Sequence, residues 1–308
     1  MKKIYDYECK QFCTATEEKK SPFAAYESEY VNRDVIDRQT GLWFTALHTE
    51  LTKAIGSYLV LTSDLCFRIF EGVYEKEKIQ RSLSQLKKAG FILGIGFYNA
   101  NGGRAAHKAY VLSTRGAGYL NSIGIQCRLG NFIAGCEAVH LKKILSANQF
   151  LISGKYERAN IRIAQTVLIE PQNTDERATA IFRPSGVVLN AEGEIIEFIE
   201  SVRRTNDSIS TLLNKLNRMD LVLREKDLAN IRIADKTRLT VIAEDKFHMY
   251  ELMTAISEAL PKKFRVVYSY DYAAYEAYML NQETEDFLYE YVPTDRWTFF
   301  KKALAACF

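Results

Sequence analysis

The chain lacks the short signatures that mark most metal- and nucleotide-dependent enzymes. Its six cysteines, Cys9, Cys13, Cys66, Cys127, Cys136 and Cys307, form no CxxC pair, and its four histidines fall in no HxxxH or HExxH spacing. Cys9 and Cys13 fit one helical face, but two thiols without two further ligands make a poor zinc site. No metal or cofactor is therefore expected. No P-loop occurs, and the run GIGFYNANGG at 94–103 lacks the strand–GxGxxG–helix setting of a dinucleotide site. No apolar segment approaches the roughly 20 residues that span a bilayer, so no membrane partner is expected. MKKIYDYECKQ opens with Lys2 and Lys3 but has no apolar run behind them and does not read as a secretory signal. A cytoplasmic protein with reduced thiols is expected. Internal repeats and low-complexity segments are missing too, which excludes solenoids and arrays.

What is present is the composition of a folded chain: 47% hydrophobic and 26% charged residues over a length of 308, enough for two domains of ordinary size. The net charge of +3 decides nothing by itself. Its distribution does. Between positions 50 and 120 the bases are Lys53, Arg68, Lys76, Lys78, Arg81, Lys87, Lys88, Arg104, Lys108 and Arg115. The acids there are Glu50, Asp64, Glu71, Glu75 and Glu77. This local excess is larger than that of the whole chain, and it favours a polyanionic partner for the N-terminal half.

Residues 1–40 are polar and aromatic and read as an N-terminal arm. Apolar positions in 42–55 recur at helical spacing, and Gly56 is the expected stop. Thr62 or Ser63 caps a short helix through Phe70 that Gly72 ends. In residues 75–89, Ile79, Leu83, Leu86 and Ala89 form one buried stripe, with Gly90 at the C-terminal cap. Residues 91–97 and 108–112 read as strands around Asn99, Ala100, Asn101, Gly102 and Gly103, a tight-hairpin sequence. Another short helix is expected at 114–120, and a helical connector occupies 123–160.

Helix, turn, helix and basic hairpin in that order are the parts of a winged helix-turn-helix, which we expect over residues 41–122. The stripe of the second helix leaves Lys76, Lys78, Gln80, Arg81, Ser84, Gln85 and Lys88 on other faces. A helix in the major groove of double-stranded DNA needs such groups, Arg and Lys for phosphates and guanine edges and Gln for adenine. Asn101, Arg104, His107 and Lys108 at the hairpin suit a wing lying on phosphates or in a minor groove. The plainer alternative is a solvated basic face on a winged helix that meets protein.

From position 161 strand-forming residues dominate, with strands expected at 161–169, 178–189, 194–202, 239–243 and 264–270 and helices at 207–226 and 247–260. Hairpin strands followed by alternating helices and strands indicate an α/β domain over 161–308.

Five segments in order, KAYVLSTRGAGYL (108–120), EAVHLKKILSANQFLI (137–152), FRPSGVVL (182–189), EIIEFIESVRR (194–204) and LLNKLNRM (212–219), resemble the replication-relaxation family of bacterial mobile elements. The resemblance implies a winged helix followed by a restriction-endonuclease-like domain, and a role on plasmids or conjugative elements. It also brings a departure. Where the family pattern has an Asp after Arg-Pro, this chain has Ser185, and where an acid follows the strand Glu by two residues, Glu200 is followed by Val202. A metal-dependent nuclease needs clustered carboxylates and a Lys. The resemblance thus implies a degenerate PD-(D/E)xK scaffold without its chemistry.

The leading expectation is a non-enzymatic DNA-binding protein of a plasmid or conjugative element, acting in replication, transfer or transcriptional control. A homodimer and mobile-element replication or transfer proteins are the further expected partners. One alternative is a nuclease using Glu244 and Lys246 of Glu244-Asp245-Lys246, with Asp175, Glu194 or Glu197 as a displaced acid. Against it, Asp245 reads as a helix cap. The other alternative is a protein-interaction scaffold. His140 and His248 stand apart from any persuasive nucleophile.

Overall fold

The computed structural model describes residues 1–5, 30–33, 44–98, 108–126, 137–168, 181–259 and 265–292. The chain divides into two compact units, Phe23–Ala164 and Met1–Pro22 with Gln165–Phe308. The described residues form eight α-helices and a mixed seven-stranded sheet, an α+β architecture. None of these helices is long and apolar enough to cross a membrane. The stretch expected as an arm contributes two strands, β1 (Lys2–Tyr5) and β2 (Tyr30–Arg33). Both are four residues long and polar, too short for periodicity to reveal.

In the unit Phe23–Ala164, α1 (Ala46–Tyr58) starts at Thr45, whose hydroxyl accepts the His48 N–H in a capping box. The expected stop at Gly56 is not used; Gly56 is buried within the helix. The chain turns instead at Leu59, whose φ of 64° closes a γ-turn in which Val60 N–H donates to the Tyr58 carbonyl at 2.7 Å. Strand β3 (Leu61–Thr62) follows, then α2 (Ser63–Ile69), capped by the Thr62 hydroxyl on Leu65 N–H at 3.2 Å. Helix α3 (Lys76–Lys88) ends as its sequence demands. Gly90, at φ 74°, donates to Lys87, and Phe91 N–H reaches back to the Leu86 carbonyl at 2.9 Å, the Schellman pattern.

Strands β4 (Ile92–Tyr98) and β5 (Lys108–Leu112) pair antiparallel, β3 adds to β5, and β2 adds to β4. Helix α4 (Thr114–Ser122) closes the hairpin. Helix α5 (Ala138–Ser153) buries most of its length and packs on α2 and β3, so the segment expected as a connector supplies core to this unit. Leu51, Ile55, Leu65, Ile79, Leu83, Leu86, Leu141 and Leu145 are sealed from solvent. Each such side chain contributes about 1.5–3 kcal/mol of burial. The unit ends with the short strand β6 (Ile161–Ile163).

The second unit contains β1 and, after Gln165, the small β7 (Val167–Leu168) and β8 (Ile181–Phe182) ladder. Six strands of the large sheet lie in this unit in the order β1-β13-β12-β11-β10-β9. The hairpin of β9 (Gly186–Leu189) and β10 (Ile195–Ser201) turns through Gly193 at φ 77°. Strands β10, β11 (Ile233–Ala243) and β12 (Arg265–Tyr270) run parallel. They are linked by α6 (Ser208–Arg224) and α7 (Lys246–Ala259), which pack on one another. Parallel strands covered on both faces read as continuous apolar runs, and Leu239 to Ala243 are buried without a break. β11 begins six residues earlier than its apolar run because Thr237 anchors the polar part, donating to the Ile195 and Ala234 carbonyls. Helix α8 (Asp271–Met279) leads to β13 (Tyr289–Val292), antiparallel to β12, and β1 pairs parallel with β13.

Candidate functional site

Helix α3 carries most of the residues that the sequence singles out. Ile79, Ser82, Leu83 and Leu86 face inward, while Lys76, Lys78, Gln80, Arg81, Ser84, Gln85 and Lys88 are exposed. Helical spacing places Glu77, Arg81, Ser84 and Lys88 along the line opposite the stripe. The face is therefore cationic along its centre and toward its C-terminal end, with Glu77 the one acid along that line. Lys78 lies at the border, its Nζ 5.4 Å from the centre of the Tyr74 ring. Of the hairpin candidates, Lys108 begins β5. Asn101, Arg104 and His107 lie outside the described residues.

Two devices hold α3 in place. At its C-terminal end, where backbone carbonyls lack helical partners, the Arg115 guanidinium donates to the Ala89 carbonyl at 2.7 Å and the Ser113 hydroxyl to the Gly90 carbonyl at 2.5 Å. Arg115 also lies 4.5 Å over the Phe91 ring, which packs with Phe44 and Tyr119. This base, counted in the charge excess, serves the helix end. Gly116 is required there, since an added Cβ would stand 2.2 Å from the Phe91 carbonyl oxygen. Along its flank, α3 is tied to α1 by His48, 3% exposed, whose Nε2 lies 2.9 Å from Gln85 Oε1. Gln85, expected to face adenine, has one end of its carboxamide engaged by the protein.

Leu59's γ-turn is clamped by fully buried Asn148 of α5, whose Nδ2 donates to the Tyr58 carbonyl at 2.9 Å and the Val60 carbonyl at 2.6 Å. Sequence reasoning misses this residue. Its only signal is the amide pair Asn148-Gln149 within a largely buried helix.

In the second unit, Ser185 and Glu200 do come together. Ser185 N–H donates to Glu200 Oε2 at 3.3 Å, and the Ser185 hydroxyl accepts Ser201 N–H at 3.1 Å. Glu200 is 3% exposed, and its cation is Lys215 of α6, with Nζ at 2.5 Å from Oε2. Lys215, unremarked in sequence, borders the buried stripe of Leu212, Leu216 and Met219. Val202 is buried, its N–H donating to the Ile242 carbonyl at 2.8 Å. Nearby in sequence, Arg203 makes a bidentate buried pair with Asp271 at 2.5 and 3.1 Å and also donates to the Ser201 hydroxyl at 2.8 Å. Glu197 is held by Arg238 at 2.9 Å and by Thr240.

Glu244 and Lys246 flank Asp245 at the start of α7. Glu244 Oε1 accepts Arg204 N–H at 3.2 Å, and Lys246 Nζ lies 5.7 Å from the Tyr250 ring centre. Asp245 caps α7, accepting His248 N–H at 2.7 Å. Of the displaced acids, Glu197 pairs with Arg238 on β11, six residues before Glu244, which follows the last residue of that strand. At about 3.3 Å per residue that is roughly 20 Å. Glu194 is bonded to Asn190 at the far hairpin turn, and Asp175 lies outside the described residues. Among the described residues no three His, Cys, Asp or Glu side chains are arranged to hold a metal ion.

His248 is buried, 1% exposed, with Nδ1 accepting Glu244 N–H at 3.3 Å. Burial lowers its pKa from the ordinary 6.5 to about 4; Arg204 and Arg203 push the same way and Asp245 opposes them. The Cys66 thiol is pushed up by complete burial and by Asp64.

A scan against protein-family models and searches of curated proteins and of solved structures returned no match.

Proposed function

We propose that the unit Phe23–Ala164 is a winged helix that binds double-stranded DNA through α3, within a non-enzymatic protein of a bacterial mobile element. The observation that carries the reading is the pairing of β3 with β5. It fixes the order helix, strand, helix, helix, hairpin as one module, in which α3 keeps its apolar stripe inward and Arg81, Ser84 and Lys88 outward. Such a helix, held at its end by Arg115 and at its flank by His48, is a rigid element of the size that enters a major groove. In this reading the hairpin β4–β5 serves as the wing.

The replication-relaxation resemblance supports the same reading through the second unit. Its β9–β10 hairpin and parallel strands suit a restriction-endonuclease-like scaffold, with Ser185 and Glu200 adjacent. The side chains present argue for binding rather than cleavage: Ser185 stands where an acid is needed, and Glu200 is already engaged by Lys215. We assign this unit no chemistry and give it a positioning or partner-binding role in a cytoplasmic replication, transfer or transcription complex.

The test is duplex binding by fluorescence anisotropy across a salt series. Phosphate contacts release counterions, so affinity falls steeply with salt. An Arg81→Ala/Lys88→Ala variant is expected to bind about tenfold or more weakly and to lose about 2 from the slope of log K on log salt. Equal binding by parent and variant at low salt refutes the assignment of α3.

A further inference from the structure

The donor and acceptor roles along the flank of α3 can be read without assuming a tautomer. Thr45 N–H lies 3.1 Å from His48 Nδ1. A backbone N–H only donates, so Nδ1 is an acceptor and carries no proton. The proton of the neutral imidazole is then on Nε2, which must donate across the 2.9 Å contact. The Gln85 atom that receives it must be the oxygen. This order of roles fixes the orientation of a side-chain amide whose two ends are otherwise hard to tell apart.

The consequence lies on the other side of Gln85. His48 is 3% exposed whereas Gln85 is exposed, so the bonded oxygen is turned toward α1. The carboxamide is planar, and its NH2 branch leaves the same carbon in a different direction, away from the imidazole. A bidentate contact to adenine needs both ends of the amide in front of the base, oxygen accepting from N6 and nitrogen donating to N7. His48 takes one of that oxygen's two lone pairs and holds the oxygen turned toward α1, so the two ends of the amide do not stand together in front of one base.

Resting on the DNA-binding reading of α3, we propose that Gln85 meets DNA as a hydrogen-bond donor alone, with His48 as the residue that positions it. Its ligand is an acceptor atom: N7 or O6 of a purine edge, O4 of thymine, or a phosphate oxygen. An adenine N6 amine is not among its partners. This replaces the expectation that the helix glutamines select adenine in the ordinary two-handed way.

The experiment uses the full chain and a duplex selected from a random-sequence pool, with binding measured for the parent, Gln85→Leu and His48→Phe. Each adenine of the selected duplex is replaced by purine, which lacks the N6 amine, and each purine by its 7-deaza analogue. Gln85→Leu is expected to weaken binding about tenfold, the worth of a good edge contact. Two supporting results distinguish the source of the acceptor. A 7-deaza position, or a thymine whose exchange costs affinity, that hurts the parent but is silent in Gln85→Leu locates a base edge. A loss equal on all sequences, with the salt slope unchanged, locates a phosphate. His48→Phe, with its thermal midpoint measured alongside, is expected to acquire sensitivity to loss of an N6 amine as the oxygen is freed. The proposal is overturned if N6-amine removal weakens the parent and is silent in Gln85→Leu, or if Gln85→Leu binds as tightly as the parent. Failure of the parent to bind any duplex defeats the underlying DNA-binding reading instead.

Discussion

Replacing Asn148 by Leu tests whether the turn at Leu59 is held by a distant amide. Leu keeps the branched shape of Asn, its two methyls are bulkier than the amide tips and add a repacking cost, and the polar change is the loss of the pair of bonds to the Tyr58 and Val60 carbonyls. Loss of a buried acceptor's donor costs about 1–3 kcal/mol. The Val60 carbonyl falls in that class. The Tyr58 carbonyl keeps the Val60 N–H and loses a second bond worth about 0.5–1.5 kcal/mol. Together these give about 2–4 kcal/mol. A positive φ on a branched residue stores about 1–3 kcal/mol, and relaxation of Leu59 would return some of it, so the sum is an upper figure for the polar change. Urea unfolding followed by far-UV circular dichroism, with the slope held in common, measures the difference. Asn148→Asp should be worse at neutral pH, since a carboxylate would face two carbonyl oxygens. A loss below about 1 kcal/mol in Asn148→Leu, against the 1–3 kcal/mol expected for one orphaned acceptor, would show that the turn holds itself.

Two other perturbations bear on the second unit. Lys215→Met strips the cation from a carboxylate that is 3% exposed; breaking a buried pair typically costs about 3–5 kcal/mol, and Glu200→Gln in the same chain should recover much of it, a double-mutant coupling readable by thermal unfolding. His248 binds protons less readily folded than unfolded, so its contribution is intact above pH 6.5 and is lost as pH falls toward about 4. Linkage over that interval amounts to about 3 kcal/mol, and His248→Asn should flatten this part of the stability profile; identical acid profiles would remove His248 from the account.

Local signals made α3 legible. Ile79, Leu83 and Leu86 repeat at helical spacing and Gly90 marks the end, so stripe, cap and exposed cations all follow from neighbours in sequence. The end of α1 was hidden, because the residue that stops it is Asn148 rather than Gly56. Strands β1 and β2 were hidden because KKIY and YVNR carry no alternation of use. At the sites, residue type was readable but partnership was not. Ser185 and Glu200 meet through the pairing of β9 with β10, whereas Lys215 reaches Glu200 only through the packing of α6. Arg203 meets Asp271 through the meeting of β10 with the start of α8. Gln85 was picked for its exposure, and nothing near it in sequence says that His48 holds its oxygen.

The parallel pairing of β1 with β13 bears on the order in which the molecule can be made. Lys2 to Tyr5 meet Tyr289 to Val292, so β1 waits until β13, the last of the described strands, has been made before it gains that neighbour. Meanwhile Phe23–Ala164 holds the strand partners of its own four-stranded sheet and can order during synthesis, as local pairings precede distant ones. The chain is thus threaded like a clasp. The unit Phe23–Ala164 can finish early, and the large sheet is fastened only when β13 meets β1.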